Sequence, residues 1–141
     1  MPIVKISYTP RVYIDKETEK VSYVYRPLIP VRLCNKHTFS KFPIDCLLDS
    51  GADGNLFPAE WGERVSIKIK SGKEITHYGI GKKDVKAYRH KVKLYIGGYN
   101  FETEADFSYE QQFPLLGREG FFKYFKRIIF HEKERFVELE H

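Results

Sequence analysis

The chain has 141 residues, 42% of them hydrophobic, enough for one modest core and too few for the two lobes of a bilobal enzyme. Its net charge of +5 is mild and mixed in sign along the chain, so composition does not demand a nucleic-acid partner. Residues 1–10 hold no apolar run long enough for a signal peptide or a membrane helix, which sets the expectation of a cytoplasmic protein with no membrane partner.

Tyr, Phe, Val and Ile fall in short runs punctuated by Gly, Pro and Asn, the composition of a mostly β domain. Residues 4–14 and 20–25 flank the charged stretch 15–19 and predict a hairpin with a polar tip. Pro27 and Pro30 then lead into the alternating Val31-Arg32-Leu33-Cys34, which suits a strand near a sheet edge. After a polar loop, Cys46-Leu47-Leu48 runs straight into Asp49-Ser50-Gly51-Ala52-Asp53. Cys34 and Cys46 both fall in strand-like segments, where a free thiol behaves as a small buried hydrophobe, although spacing alone leaves a cross-strand disulfide open.

Pro58-Ala59-Glu60-Trp61 predicts a first helical turn kept short by Gly62. Alternation over 65–70, the turn Ser71-Gly72 and the segment 74–78 predict a hairpin with a charged outer face. Gly97-Gly98 between 87–96 and 99–106 predicts a tight hairpin turn. Phe121, Phe122 and Phe125 are spaced for one face of a short helix over 118–126, and 127–130 pairs with 135–139 around a charged turn at 131–134.

A carboxylate placed just after a buried strand, in a turn of small residues, can be held rigidly with its oxygens facing a cleft. Asp49 fits that description, with Gly51 and Ala52 leaving room for a substrate backbone or a second copy of the turn. Asp-Ser-Gly after a strand is also an ordinary turn, in which Asp bonds its own backbone. The second element that raises the catalytic reading above the ordinary one is Leu115-Leu116-Gly117-Arg118, an apolar strand and glycine suited to pack behind Asp49.

Together these segments resemble a known family: Leu47-Leu48-Asp49-Ser50-Gly51-Ala52-Asp53 is similar to the catalytic signature of retropepsins, the retroviral-type aspartic peptidases. Pro114-Leu115-Leu116-Gly117-Arg118 is similar to their closing motif. The resemblance runs over 27–130, leaving 1–26 as an N-terminal hairpin extension and 131–141 as a C-terminal strand within one domain of 1–141. It implies an acid-protease-like closed β-barrel, with one short helix after the Leu-Leu-Gly-Arg motif, completed as a homodimer. By the same resemblance Asp49 is the catalytic aspartate, Ser50 stands where Thr is more frequent, and Gly51 and Ala52 line the cleft. His77-Tyr78-Gly79-Ile80-Gly81 falls where the family's flap tip belongs, which by the resemblance sets Gly79, Ile80 and Gly81 over the substrate, against the alternative of a plain hairpin loop. Gly117 backs the catalytic turn, and Asp53 and Arg118 are expected to form an ion pair that fixes it, against the alternative that either is merely solvated.

Aspartic peptidases use two carboxylates sharing one proton, and no second Asp followed by Ser or Thr and Gly occurs in this chain. The partner is then Asp49 of another copy across a two-fold axis, with a peptide or protein as substrate. Residues 135–139 are the expected interchain strand, against the alternative of an ordinary edge strand. The expected activity needs no cofactor and no metal, since His37, His77, His90 and His131 lack the close spacing of zinc ligands. Two other classes were weighed: a non-catalytic peptide- or protein-binding module on the same fold, and a basic barrel binding single-stranded nucleic acid through interleaved Lys and Tyr.

Overall fold

The computed structural model describes residues 2–78 and 83–141. Its first strands are β1 (Ile3–Ser7), β2 (Thr9–Ile14), β3 (Val21–Arg26), β4 (Leu28–Asn35), β5 (Thr38–Phe39), β6 (Ile44–Leu48) and β7 (Asn55–Pro58). The one α-helix among the described residues, α1 (Ala59–Glu63), follows. The remaining strands are β8 (Lys73–His77), β9 (Val85–Ile96), β10 (Tyr99–Ser108), β11 (Leu115–Leu116), β12 (Arg127–His131) and β13 (Phe136–Glu140).

Six strands close into a barrel in the order β4-β6-β11-β7-β10-β9, and β9 returns to β4 through Arg32↔Tyr95, Leu33↔Leu94 and Cys34↔Lys93. The closure is possible because β9 is long: one end pairs with β8 and the other with β4, while β10 runs along its other edge. The mostly β closed barrel expected from the sequence is therefore present. Alternation decides which side chains fill it. The alternate positions Ile29, Val31 and Leu33 of β4, Ile44, Cys46 and Leu48 of β6, and Phe101, Thr103, Ala105 and Phe107 of β10 are all buried. Phe57 and Phe107, stacked with centroids 5.8 Å apart, sit where β7 and β10 run parallel beneath α1.

Several local expectations are corrected. Residues 4–14 do not form one strand: β1 pairs with β13 and only β2 pairs with β3. The break falls at Tyr8, whose ring is buried, whose amide donates to Arg135 O at 2.8 Å and whose hydroxyl donates to Glu132 at 2.7 Å. Residues 65–70 alternate in burial as a strand would, yet they make no ladder. Val65 and Ile67 amides both donate to Gly62 O and Ser66 takes φ of 65°, so the segment coils and drops Val65, Ile67 and Ile69 into the core as plugs. The segment 74–78 does become a strand, but its partner is β9.

The helix expected over 118–126 is only a 3-10 turn at Phe122–Tyr124, and the α-helix lies before the Leu-Leu-Gly-Arg motif, at α1. Here the amides of Phe121 and Phe122 both turn back onto Gly117 O, while Phe121 and Phe125 bury their rings, so tertiary packing overrides the helical spacing. The C-terminal hairpin forms, but β13 lies between β1 and β12. Both its edges are consumed within the chain, so residues 135–139 have no free edge for interchain pairing. The Gly97-Gly98 turn joins Ile96 to Tyr99 as expected, with Gly97 at φ of 57°. Cys34 and Cys46 are buried free thiols. No helix among the described residues is long and apolar enough to cross a membrane.

Because Phe107 is fully buried at the parallel junction, Phe107→Ala is expected to cost about 3–5 kcal/mol in urea denaturation, with unchanged elution of the folded protein.

Candidate active site

Asp49 follows directly on β6 and is half-buried, while Ser50 and Gly51 are exposed. Two neighbouring segments hold the approach to it through three backbone bonds. Leu47 N donates to Pro114 O at 2.9 Å, Leu48 N to Pro27 O at 3.2 Å, and Asp49 N to Leu116 O at 2.9 Å. The turn then closes on itself, with Ala52 N donating to Asp49 O at 3.1 Å and Gly51 N donating to Asp49 Oδ1 at 2.9 Å. The carboxylate thus makes the bond of an ordinary Asp turn with one oxygen. Its other oxygen, Oδ2, has no hydrogen bond among the described residues.

The two sequence motifs meet behind this turn. Arg118 N donates to Ala52 O at 2.8 Å and Glu119 N to Asp53 O at 2.7 Å. Gly117 sits so close that a Cβ there would fall 2.3 Å from Gly54 O and 2.8 Å from Ala52 O. Glycine is required by contact with main-chain atoms, which have no rotamer to yield. The side chains of Asp53 and Arg118 are exposed and form no ion pair among the described residues, so that expectation is corrected. Main-chain bonding already joins the motifs, and in water an exposed pair adds little.

Two residues that the sequence reading did not single out complete the support. Asn55 is buried, and its side chain satisfies three backbone groups: Oδ1 accepts from Gly117 N at 3.2 Å, and Nδ2 donates to Gly120 O at 2.8 Å and Glu104 O at 3.0 Å. The only signal for it was a polar residue opening the apolar run Leu56-Phe57. Asp106 is the other. By the alternation of β10 it should face water with Glu102 and Glu104, yet it is 1% exposed, with the side chains of Arg89 and His77 bonded to it and Gly54 packed beside it. Arg89 grips it with two bonds, Nε to Oδ1 at 2.8 Å and Nη2 to Oδ2 at 3.1 Å, and His77 Nε2 lies 2.7 Å from Oδ2. Burial pushes the Asp106 carboxyl up, and the bonds and charges of His77 and Arg89 outweigh it, holding the group below the usual carboxylate range.

His77 is the last residue of β8, so this cluster anchors one strand of the hairpin expected to carry a flap. Gly79, Ile80 and Gly81 lie outside the described residues. Among the described residues no group of His, Cys, Asp and Glu is arranged to hold a metal ion. His77 and His131 are engaged with Asp106 and Glu138, and His90 donates to Ile69 O.

No protein-family model matches the chain, and no curated protein matches it. Solved structures do. A retropepsin-like aspartic protease from Rickettsia conorii superposes with a TM-score of 0.61 at 15% identity, over 98% of this chain and 91% of that one. EIAV protease in complex with an inhibitor matches 74% of this chain and 88% of that one, at 22% identity and a TM-score of 0.48. The class this defines is one of architecture: the chain has the retropepsin-like aspartic protease fold.

Two outcomes follow from the site's construction. Gly117→Ala is expected to lose about 3 kcal/mol in chemical denaturation, whereas Gly98→Ala, with nothing within 4 Å, stays within about 0.5 kcal/mol of the parent. Asp106→Asn is expected to cost roughly 2 kcal/mol at neutral pH. Since the folded carboxyl sits below its unfolded value of about 3.9, that contribution is present above it and drains away as pH falls through the lowered value. Thermal melts should therefore show the gap between parent and variant closing on the acid side, below about pH 4.

Proposed function

We propose that the protein is an aspartic endopeptidase in which Asp49 of two copies forms the catalytic dyad. The observation that carries the reading is the way Asp49 is held: a half-buried carboxylate at the end of a barrel strand, one oxygen fastened to Gly51 N and the other free. Such a carboxylate is oriented before substrate arrives, which is what proton transfer to and from a bound water requires. The retropepsin-like fold supports the same reading, and the absence of a second Asp-Ser-Gly or Asp-Thr-Gly in the chain calls for a second copy.

In the reaction, the ionised carboxylate takes a proton from water as its oxygen attacks the peptide carbonyl carbon. The protonated partner gives its proton to the carbonyl oxygen, forming a tetrahedral diol. Collapse of the diol re-forms the carbonyl, breaks the C–N bond and returns a proton to the leaving nitrogen. Because both oxygens of one aspartate cannot be acid and base at once, activity belongs to the pH range in which the pair shares one proton. Ser50 is exposed and suited to bond across to the twin turn, and Gly51 and Ala52 give the substrate backbone its approach. Substrate is a peptide or protein segment, with no cofactor, metal or nucleic acid involved.

A second reading, a peptide-binding module without catalysis, draws on the Gly51 N to Asp49 Oδ1 bond, which is also that of a plain Asp turn. Cleavage of a peptide library by parent and Asp49→Asn decides between them. The substitution keeps shape and removes the ionisable group, so the peptidase reading expects a loss of about a thousandfold or more in kcat/KM, and equal activity refutes it. Mixing parent and Asp49→Asn one to one under subunit exchange should leave about one quarter of the activity if a shared pair is the catalyst, against one half for independent sites.

A further inference from the structure

The β2–β3 hairpin stands apart from the barrel as a two-stranded sheet with no third strand among the described residues. Its register puts Pro10 opposite Tyr25, Val12 opposite Tyr23 and Ile14 opposite Val21, and opposed residues share a face. All six side chains on that face are apolar or aromatic. The other face, with Thr9, Arg11, Tyr13, Ser22, Val24 and Arg26, is mostly polar: Arg26 Nη2 donates to Tyr13 OH at 2.7 Å and Arg11 lies over the Tyr13 ring. Near its root the apolar face is covered, since Tyr25 packs against the core under Arg135 at 3.8 Å. Further out it is bare, with Val12 at 53%, Ile14 at 66%, Val21 at 56% and Tyr23 at 60% exposure.

A bare face of this size, on the order of a few hundred Å², marks an interaction site on a soluble protein, and a lone two-stranded hairpin is marginal in water without a cover. The arm is nonetheless well formed. At its tip Asp15 Oδ1 accepts from Glu17 N at 2.8 Å and Thr18 N at 3.0 Å, and Asp15 N donates to Lys20 O. It is a preshaped element, so little ordering is lost on docking.

We infer that this hairpin is a dimerisation arm whose apolar face, Val12, Ile14, Val21 and Tyr23, is covered by a second copy of this chain. The inference rests on the proposed use of Asp49 in pairs. Three observations favour a second copy as occupant. The arm is rooted at the catalytic turn, because β3 ends at Arg26 and the next residue, Pro27, accepts the amide hydrogen of Leu48, which precedes Asp49. A two-fold axis that brings two Asp49 turns together therefore passes close to the root, and six extended residues reach about 20 Å across it. The bare patch is small for a one-sided contact, and two-fold symmetry doubles it. The tip, with Asp15, Glu17 and Glu19 against Lys16 and Lys20, offers no attraction for an anionic membrane.

The test uses the full chain with Val12→Thr, Ile14→Thr and Tyr23→Thr together, exposed strand positions where Thr keeps β propensity. Sedimentation equilibrium should show the dimer dissociation constant raised at least about tenfold. Peptidase activity should fall at low protein concentration and return at high concentration with kcat unchanged. In the parent, amide exchange over 9–26 should slow as concentration rises through the dissociation constant, a measurement that stands even if the triple variant misfolds. A parent that dimerises and cleaves, with an unaltered constant in the variant or arm exchange indifferent to concentration, overturns the arm and leaves the peptidase reading intact. A parent that stays monomeric at all concentrations and shows no cleavage dependent on Asp49 overturns both.

Discussion

A tight approach of two backbones, between Gly117 and the 52–54 stretch, is the constraint from which the rest of the site follows. A side chain there would meet carbonyl oxygens at 2.3 and 2.8 Å, so the two segments touch main chain to main chain. That contact allows Arg118 N and Glu119 N to reach Ala52 O and Asp53 O, and it aligns β11 beside β6 so that Leu116 O can accept from Asp49 N. The turn carrying Asp49 is consequently bonded on both flanks, and Asn55 fills the hydrogen-bonding capacity left over behind it. A carboxylate in such a frame loses little further freedom when it engages a water molecule, which is the physical content of preorganisation.

The barrel serves this frame by bringing residues far apart in sequence to one place. Parallel pairing of β6 with β11 and of β7 with β10 requires long connections, and each of those connections does work of its own. The one from β7 to β10 contains the plug of Val65, Ile67 and Ile69 and the β8–β9 hairpin. The cluster of Asp106, Arg89 and His77 fastens that hairpin to the barrel with a buried carboxylate. A buried charge is tolerated there because Arg89 and His77 both bond to Asp106, and the net effect holds its carboxyl below the usual range. The base of the hairpin is thus tied to β10, while the barrel's own closure does not depend on it.

Much of the site could be read from residues alone. Asp49 in a turn of small residues, and Leu-Leu-Gly-Arg some seventy residues on, carried both the catalytic assignment and the expectation that the two segments meet. Asn55 and Asp106 could not be read in this way. The first is an unremarkable Asn whose role comes from three backbone groups that only the fold assembles. The second sits at an outward position of an alternating strand and is buried among Arg89, His77 and Gly54, which the fold brings to it from three other segments. The Asp53 and Arg118 expectation failed for a related reason: proximity of two motifs says nothing about whether their side chains face each other, and here the backbones meet while the side chains point to water.

What the residues determined by themselves is local: the strands with clean alternation, the Gly97-Gly98 turn, the first helical turn after Pro58 and the chemistry available to Asp49. Each of these depends on interactions within a few positions of the chain, which a sequence records directly. Which strand pairs with which was decided by tertiary structure. Residues 4–14 were split between two sheets by the burial of Tyr8, the 65–70 alternation became a plug, three phenylalanines spaced for a helix were used as core anchors around a 3-10 turn, and β13 became a central strand. In each case the local pattern states that a side chain will be buried. Only the closing of the barrel and the competition for backbone partners determine against what it is buried.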